Sequence, residues 1–257
     1  MPKMLAPRSA WSWRILIRIV GWSAIAVFVI WGAGRAHALV VTDHRFDLTC
    51  CGNIEIRGAI YTNRGRIQNV FTSDFGRSIF RIPLAERRRH LLAVDWVNTA
   101  SITRVWPDRL VVSVTERRPV AFAKLPIAGT GRYRLGLIDW DGVLLSMPPK
   151  VRFRLPVLSG VSEEQSEGER KLRVNAMQAL LDDLGPEAKS VSEINASSTL
   201  DLRLITTMDG RALELWMGNQ DLRSRYMNFI AHYEEIRKSS GKSGVFDLRM
   251  DDRILAK

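Results

Sequence analysis

Residues 94–121 read VDWVNTASITRVWPDRLVVSVTERRPVA, and the reading of this stretch decides the rest. Ala100 and Ile102 alternate with Ser101 and Thr103. Beyond Trp106-Pro107-Asp108-Arg109, Leu110, Val112 and Val114 alternate with Val111, Ser113 and Thr115. A period of two puts one set on a buried face and the other outside, so both runs are predicted strands. Pro107 presets φ and Asp108 favours a tight reversal, which joins the strands as an antiparallel hairpin. The unit ends at Glu116-Arg117-Arg118-Pro119. Pro119 cannot donate to a ladder and marks an exit or a domain joint.

Upstream of the hairpin the pattern is short but ordered. Asn53 to Gly58 alternates as a strand stopped by glycine. After Thr62 or Asn63 as a cap, Ile67, Val70 and Phe71 share one face of a short helix. Ser78 to Pro83 is a brief extended piece, and Leu84 to Ala93 is a second helix with Leu84, Leu91 and Leu92 on one face. The predicted order is strand, helix, helix, strand, strand.

The string W-V-x-x-A-x-I-x-R-x-W-P-x-x-L-x-V-x-V-x-E-R-x-P-V-A, from Trp96 to Ala121, resembles the POTRA signature of the FtsQ/DivIB cell division proteins. The matched residues are Trp96, Val97, Ala100, Ile102, Arg104, Trp106, Pro107, Leu110, Val112, Val114, Glu116, Arg117, Pro119, Val120 and Ala121. A POTRA domain has the plan βααββ, so the element order agrees with the motif independently.

Past Pro119 strands dominate. Val120–Ala123, Leu135–Asp139, Val143–Leu145 and Leu155–Gly160 read as extended, with a turn at Asp139-Trp140-Asp141-Gly142. Glu169 to Leu184 is a predicted helix, its stripe Leu172, Ala176, Ala179, Leu180 and Leu184, ended by Gly185-Pro186. Three strands follow at 191–195, 200–206 and 211–216. After Asn219 as N-cap, Leu222, Tyr226, Phe229, Ile230, Tyr233 and Ile236 mark an amphipathic helix. Gly244 to Arg249 closes the chain as a strand. The predicted class is α+β, with a mainly antiparallel β domain carrying two helices. This second half is similar to the β domain of the same family. The ending FDLRMDDRILAK is similar to the family's V-D-L-R-Y segment, with Met250 where Tyr is usual.

The chain has 257 residues and a net charge of +11, with 46% apolar and 25% charged residues, a composition that folds. Lys3, Arg8, Arg14, Arg18 and Arg35 stand in the first 35 residues without an acid, beside the uncharged run Ile19–Gly34. Sixteen residues span about 24 Å as helix against a hydrocarbon core of about 30 Å, but Arg18 and Arg35 can snorkel and flanking apolar residues lengthen the run. Trp22 and Trp31 suit interfacial belts, and the basic flank places the N-terminus inside. An uncleaved anchor fits better than a cleaved signal, although Ala36-His37-Ala38 has the form of a cleavage site. Either way the bulk leaves the cytoplasm, which turns the basic charge away from a genomic nucleic-acid partner. The expected organisation is a cytoplasmic tail 1–14, a transmembrane helix 15–38, a linker 39–52, a POTRA domain 53–118 and a β domain 119–257.

The chemistry-bearing residues are few. His37, His44, His90 and His232 lack ligand spacing, and there is no nucleophile elbow or phosphate loop. Asp139-x-Asp141-Gly142 opens like a calcium loop but lacks the downstream glutamate, so a hairpin turn is the reading. Cys50 and Cys51 read as surface thiols. No catalytic set, cofactor or metal is expected. Eight arginines between Arg57 and His90 face only Asp74 and Glu86, either a solvated basic face or a docking surface for acidic headgroups or an acidic partner. Trp96 and Trp106 read as core or turn packing. Glu116 and Arg117 read either as a solvated pair or, with Pro119, as a hinge that fixes the angle between domains, and two charges before a proline at a domain joint favour the hinge.

The family resemblance implies a non-enzymatic, bitopic inner-membrane scaffold at the division septum that recruits FtsB/FtsL-type partners, and through the POTRA domain other division proteins. The physical route is strand addition to an exposed terminal strand within Gly244–Leu255. Arg249, Met250, Arg253, Ile254 and Leu255 are the implied partner-binding residues, with Arg249 meeting a partner carboxylate. A POTRA-bearing assembly or secretion protein and a membrane-anchored periplasmic enzyme are the alternatives.

Overall fold

The structure, a computed structural model, describes residues 10–149, 151–240, 243–250 and 253–257. Most of the expected basic tail therefore lies outside the described residues, as do Asp251 and Asp252. Helix α1 (Ala10–Thr42) runs unbroken for 33 residues, about 50 Å at 1.5 Å per residue. Ile19, Trp22, Ile25, Phe28, Ile30 and Trp31 all stand exposed along it. Among the described residues no helix is long and apolar enough to cross a membrane.

Two compact units follow from the contacts, one reaching Val94 and including Thr99–Thr115, the other Asp95–Asn98 with Glu116–Lys257. In the first, β1 (Ile54–Arg57), α2 (Arg64–Asn69), α3 (Leu84–Leu92), β2 (Val97–Val105) and β3 (Arg109–Glu116) occur in the expected βααββ order. The sheet order is β1-β3-β2, with β1 parallel to β3 and Ile54 opposite Leu110. Leu110, Val112 and Val114 bury one face of β3, as their alternation requires, together with Ile67, Phe71 and Leu91. Asn63 caps α2 by accepting from the Gly65 amide at 2.8 Å. The Trp106–Pro107 peptide at the hairpin tip is cis.

Two expectations change in this unit. The segment read as linker is fixed at its end: Ile79 N donates to Phe46 O at 2.8 Å, Leu48 N to Arg77 O at 2.9 Å, and Leu48 is fully buried. Ser78 to Pro83 is no strand, because only Ser78 makes a ladder contact, a bridge to Asp47. The backbone carbonyls that follow are taken by a side chain instead: Arg104 donates to Ile79 O and Ile82 O at 2.6 and 2.9 Å.

The second unit is a two-layer structure. Its strands are β4 (Pro119–Pro126), β5 (Tyr133–Asp139), β6 (Leu144–Leu145), β7 (Val157–Ser159), β8 (Val191–Asn195), β9 (Leu202–Met208), β10 (Arg211–Gly218), β11 (Val245–Asp247) and β12 (Leu255–Ala256). They form one sheet in the order β12-β11-β10-β9-β8-β7-β4-β5-β6. Five of its pairings are antiparallel and three (β4–β7, β7–β8, β10–β11) are parallel. Helices α4 (Glu167–Leu184) and α5 (Leu222–Ser240) cover one face, where Val174, Met177, Tyr226 and Phe229 pack on Leu158, Ile194, Leu204 and Leu215. The Tyr226 hydroxyl does not go unpaired in this core, because it lies 2.8 Å from Ser190 Oγ and 3.3 Å from Thr206 Oγ1.

The α4 stripe is rotated from the expected one. Arg170, Val174, Met177, Leu180 and Leu184 are buried, and Leu172 is exposed. The sequence pattern hid this because a charged residue sits on the inner face. Arg170 Nε donates to Gly142 O at 2.7 Å, and the guanidinium also bonds the Gln165 carbonyl. Gly142, at φ 79, is required there: a Cβ would lie 2.5 Å from Glu167 O. Helix α5 starts at Leu222, so Asn219 is not its cap. Asp183 of α4 serves instead, its carboxylate accepting from Arg223 N at 2.8 Å.

Candidate functional site: the margin of the large sheet

The C-terminal segment is built in three steps. Strand β11 pairs in parallel with β10, Glu214 opposite Val245 and Trp216 opposite Asp247. The chain then turns through Leu248–Met250 and returns as β12, antiparallel, with Asp247 opposite Leu255 and Phe246 opposite Ala256. Phe246 is buried against Phe229 with ring centroids 5.1 Å apart, so β11 is anchored by its inner face. The expectation that 244–255 offers one open strand is therefore corrected. Val245–Asp247 is paired on both sides, and the open margin at this end of the sheet is β12, two residues long, with β6 at the opposite end.

Backbone alternation says which groups β12 leaves open. Lys257 N donates to Val245 O at 3.0 Å. Residues two apart point the same way, so Leu255 and Lys257 face β11 and the N–H and C=O of Ala256 face outward.

A charge cluster holds this margin. Asp247 is buried, and its carboxylate accepts from Arg249 Nε at 2.8 Å, Arg249 Nη2 at 2.6 Å and Arg249 N at 3.2 Å. Lys257 Nζ reaches the same carboxylate at 3.3 Å, and Ser243 Oγ donates to Lys257 O at 2.6 Å. Arg249, then Lys257, hold the Asp247 carboxyl well below the usual carboxylate range, and Asp247 in turn raises Arg249. The indole of Trp216 lies under the cluster, with Lys257 Nζ 3.3 Å, Arg203 Cζ 4.1 Å and Arg249 Cζ 5.1 Å from its centre. Arg249, implied to meet a partner's carboxylate, is thus already paired within the chain, while part of its side chain remains exposed.

The other implied residues separate. Leu248, Met250 and Ile254 line one groove of about 390 Å³ together with Asp221, Ser224, Arg225 and Asn228 of the α5 end. Met250 is exposed and Ile254 packs partly on the core. Leu255 and Arg253 are at the surface. Sequence reasoning missed Trp216, Asp247 and Lys257. The signal that could have found Trp216 is an aromatic on the outer face of a predicted strand whose neighbours are cations.

The hinge residues fall as follows. Pro119 opens β4 and pairs with Asp139. Arg117 Nη1 donates to Asp139 Oδ2 at 2.7 Å and Arg117 N donates to Trp96 O at 2.8 Å, all three residues lying in the second unit. Trp96 is buried there, stacked on Phe153 and donating to Ser146 O. Trp106, in contrast, is 62% exposed and so outside the core, and packs at the hairpin turn against Phe46 and Phe80. Asp139 also accepts from the amides of Asp141 and Val143, which makes its motif the expected turn. Of the eight arginines, Arg87 is spent on a buried pair with Asp74, at 2.6 and 3.0 Å, and Arg88 on Ala100 O. Cys50 and Cys51 are free and exposed. Among the described residues no group of three or more His, Cys, Asp or Glu could hold a metal.

The first unit has the βααββ order, and its residues 51–117 match the POTRA domain, FtsQ-type. The similarity extends well beyond that module. The chain is 34% identical over 217 residues to cell division protein FtsQ of Koribacter versatilis, covering 82% of this chain and 61% of that protein. It is 29% identical to FtsQ of Novosphingobium aromaticivorans, covering 84% and 63%, and 25% identical to FtsQ of Syntrophotalea carbinolica, covering 93% and 88%. The match spans about three fifths of the first two relatives' length. The chain belongs to the FtsQ family of cell division proteins.

Proposed function

We propose that this chain is a non-enzymatic scaffold of the bacterial divisome, anchored once in the inner membrane, with its two units outside the cytoplasm at the septum. FtsB/FtsL-type partners join it by adding a strand to β12, and the POTRA unit serves other division proteins. The observation that carries the reading is the β12 margin of the nine-stranded sheet, where the Ala256 backbone faces outward next to Leu255, and Arg249, Met250, Arg253 and Ile254 are the proposed flanking contacts. An unpaired strand edge is a template for a second chain, and flanking side chains give the selectivity. The Asp247 pair presets the Arg249 guanidinium beside that edge, leaving part of it open to an incoming carboxylate. Support for the anchor comes from α1, whose large apolar side chains stand exposed around the whole helix between basic residues Arg18 and Arg35. Glu116, Arg117 and Pro119 act as the joint, with Arg117 fixed to Asp139.

The test is Ala256→Pro, which removes an outward N–H without touching the ladder to β11. Co-purification of the full chain with its FtsB/FtsL-type partner is expected to fail for Ala256→Pro and to weaken for Arg249→Glu. Unchanged co-purification for both variants, and for truncation after Asp247, would remove strand addition from the reading.

A further inference from the structure

Three aromatic rings from separate segments of the first unit meet at its surface. Phe46 comes from the turn after α1, Phe80 from the loop before α3, and Trp106 from the tip of the β2–β3 hairpin. Their centroids are 5.1, 5.5 and 5.9 Å apart, each pair edge to face. Trp106 stays largely exposed and the other two are half-buried. A group of rings that stays wet is an unusual expense for a soluble surface and is ordinary at the level of lipid headgroups.

We propose that Phe46, Phe80 and Trp106, with Arg45, Arg81 and Arg109, seat the POTRA unit on the membrane surface, the rings in the headgroup layer and the guanidinium groups on anionic lipid phosphates. The proposal rests on the membrane-anchored reading of α1. Chain continuity commits it to that occupant. Phe46 follows the end of α1 at Thr42 by four residues, a reach of at most about 14 Å. That reach has no slack. Asp43 accepts from Arg45 N at 2.9 Å, and Phe46 O and Leu48 N are both bonded to the 77–79 segment. Wherever the helix end lies, the rings lie beside it.

The charge pattern agrees. An exposed arginine stands within three residues of each ring: Arg45 beside Phe46, Arg81 beside Phe80, Arg109 after Trp106. None of the three makes an ion pair among the described residues, unlike Arg87 on Asp74 or Arg117 on Asp139. The acids of the same segments are occupied: Asp47 with His44 at 2.8 Å, Asp43 with the Arg45 amide, and Asp108 with Asn53. Neutral donors leave these carboxylates charged, but none lies within ion-pair distance of the three guanidinium groups, which stay open to an anionic surface.

The test uses the full chain carrying 5-fluorotryptophan in lipid nanodiscs of phosphatidylcholine with or without phosphatidylglycerol. Fluorine resonances of Trp106 and Trp22 are assigned by their loss in Trp106→Phe and Trp22→Phe. Nitroxide-bearing lipids then report proximity. With phosphatidylglycerol present, headgroup nitroxide is expected to broaden the Trp106 resonance beyond detection and acyl-chain nitroxide to do the same for Trp22. Combined Arg45→Gln, Arg81→Gln and Arg109→Gln is expected to restore the Trp106 line. A broadened Trp22 with a sharp Trp106 overturns the seat and leaves the anchor standing. A sharp Trp22 overturns both. Broadening of Trp106 that ignores phosphatidylglycerol and the three substitutions overturns the phosphate contact.

Discussion

Asp247→Ala probes how the margin of the sheet is held. The carboxylate accepts three hydrogen bonds from Arg249 and pairs with Lys257, and it is buried. Breaking a fully buried pair costs about 3–5 kcal/mol, because the surviving charge is stranded. Arg249 and Lys257 are each about two fifths exposed, so water takes up part of their charge and the cost falls to roughly 1.5–3 kcal/mol. A strand of two residues closes with little free energy to spare, so that loss becomes an opening of β12 and Arg249. A partner that needs the closed margin then binds about 10- to 150-fold more weakly. Hydrogen exchange on the full chain in detergent reads the opening over 243–257, and titration with an FtsB/FtsL-type partner reads the affinity. Asp247→Asn, which keeps an acceptor, is expected to fall between wild type and alanine. Faster exchange with unchanged affinity would show that the partner does not use this margin. Unchanged exchange would show that the ion pair does not hold it.

Acid is expected to act on the same cluster. Arg249 depresses Asp247, Lys171 depresses Asp141, and the Ser166 backbone amide depresses Glu169. Their folded pKa values lie below the unfolded ones, so the contribution is complete above about pH 5 and disappears as pH falls through the folded values. Thermal melts should therefore drop below about pH 5, with a shallower drop in Asp247→Asn. In the first unit, Arg87→Ala strands the fully buried Asp74 and is expected to cost about 3–5 kcal/mol, while Asp74→Ala with Arg87→Ala costs less than the sum of the singles. Exchange protection over 84–92 and 110–116 measures it, and strictly additive losses would mean that the two side chains are not coupled.

The POTRA unit was legible because its signals are local. The alternation of Leu110, Val112 and Val114, the reversal at Pro107-Asp108 and the Asn63 cap each concern residues a few positions apart, and each stands as expected. Failures occurred where a long-range polar contact outweighed the periodic pattern. Arg170 enters the core of the second unit because carbonyls of a distant turn, at Gly142, pay for its charge, and the helix rotates to put Leu172 outside. Asp183 caps α5 across 40 residues, a partnership the spacing of Asn219 could not express.

The margin of the sheet was legible only in part, for a topological reason. Whether a strand lies at an edge depends on every other strand, and the sequence of Gly244–Arg249 is the same whether or not β12 returns to cover it. What the sequence does carry is the asymmetry between the two strands. Phe246 and Leu248 are apolar and buried, as a strand with a covered face must be. Leu255-Ala256-Lys257 has one exposed apolar residue, one small one and one cation, a composition that cannot fix a strand by burial. Such a strand needs side-chain clasps, and the clasps are where the chemistry collects: Lys257 on Trp216 and Asp247, Ser243 on Lys257. A margin held by polar clasps and not by a core can present open backbone groups without drawing in any apolar segment that passes.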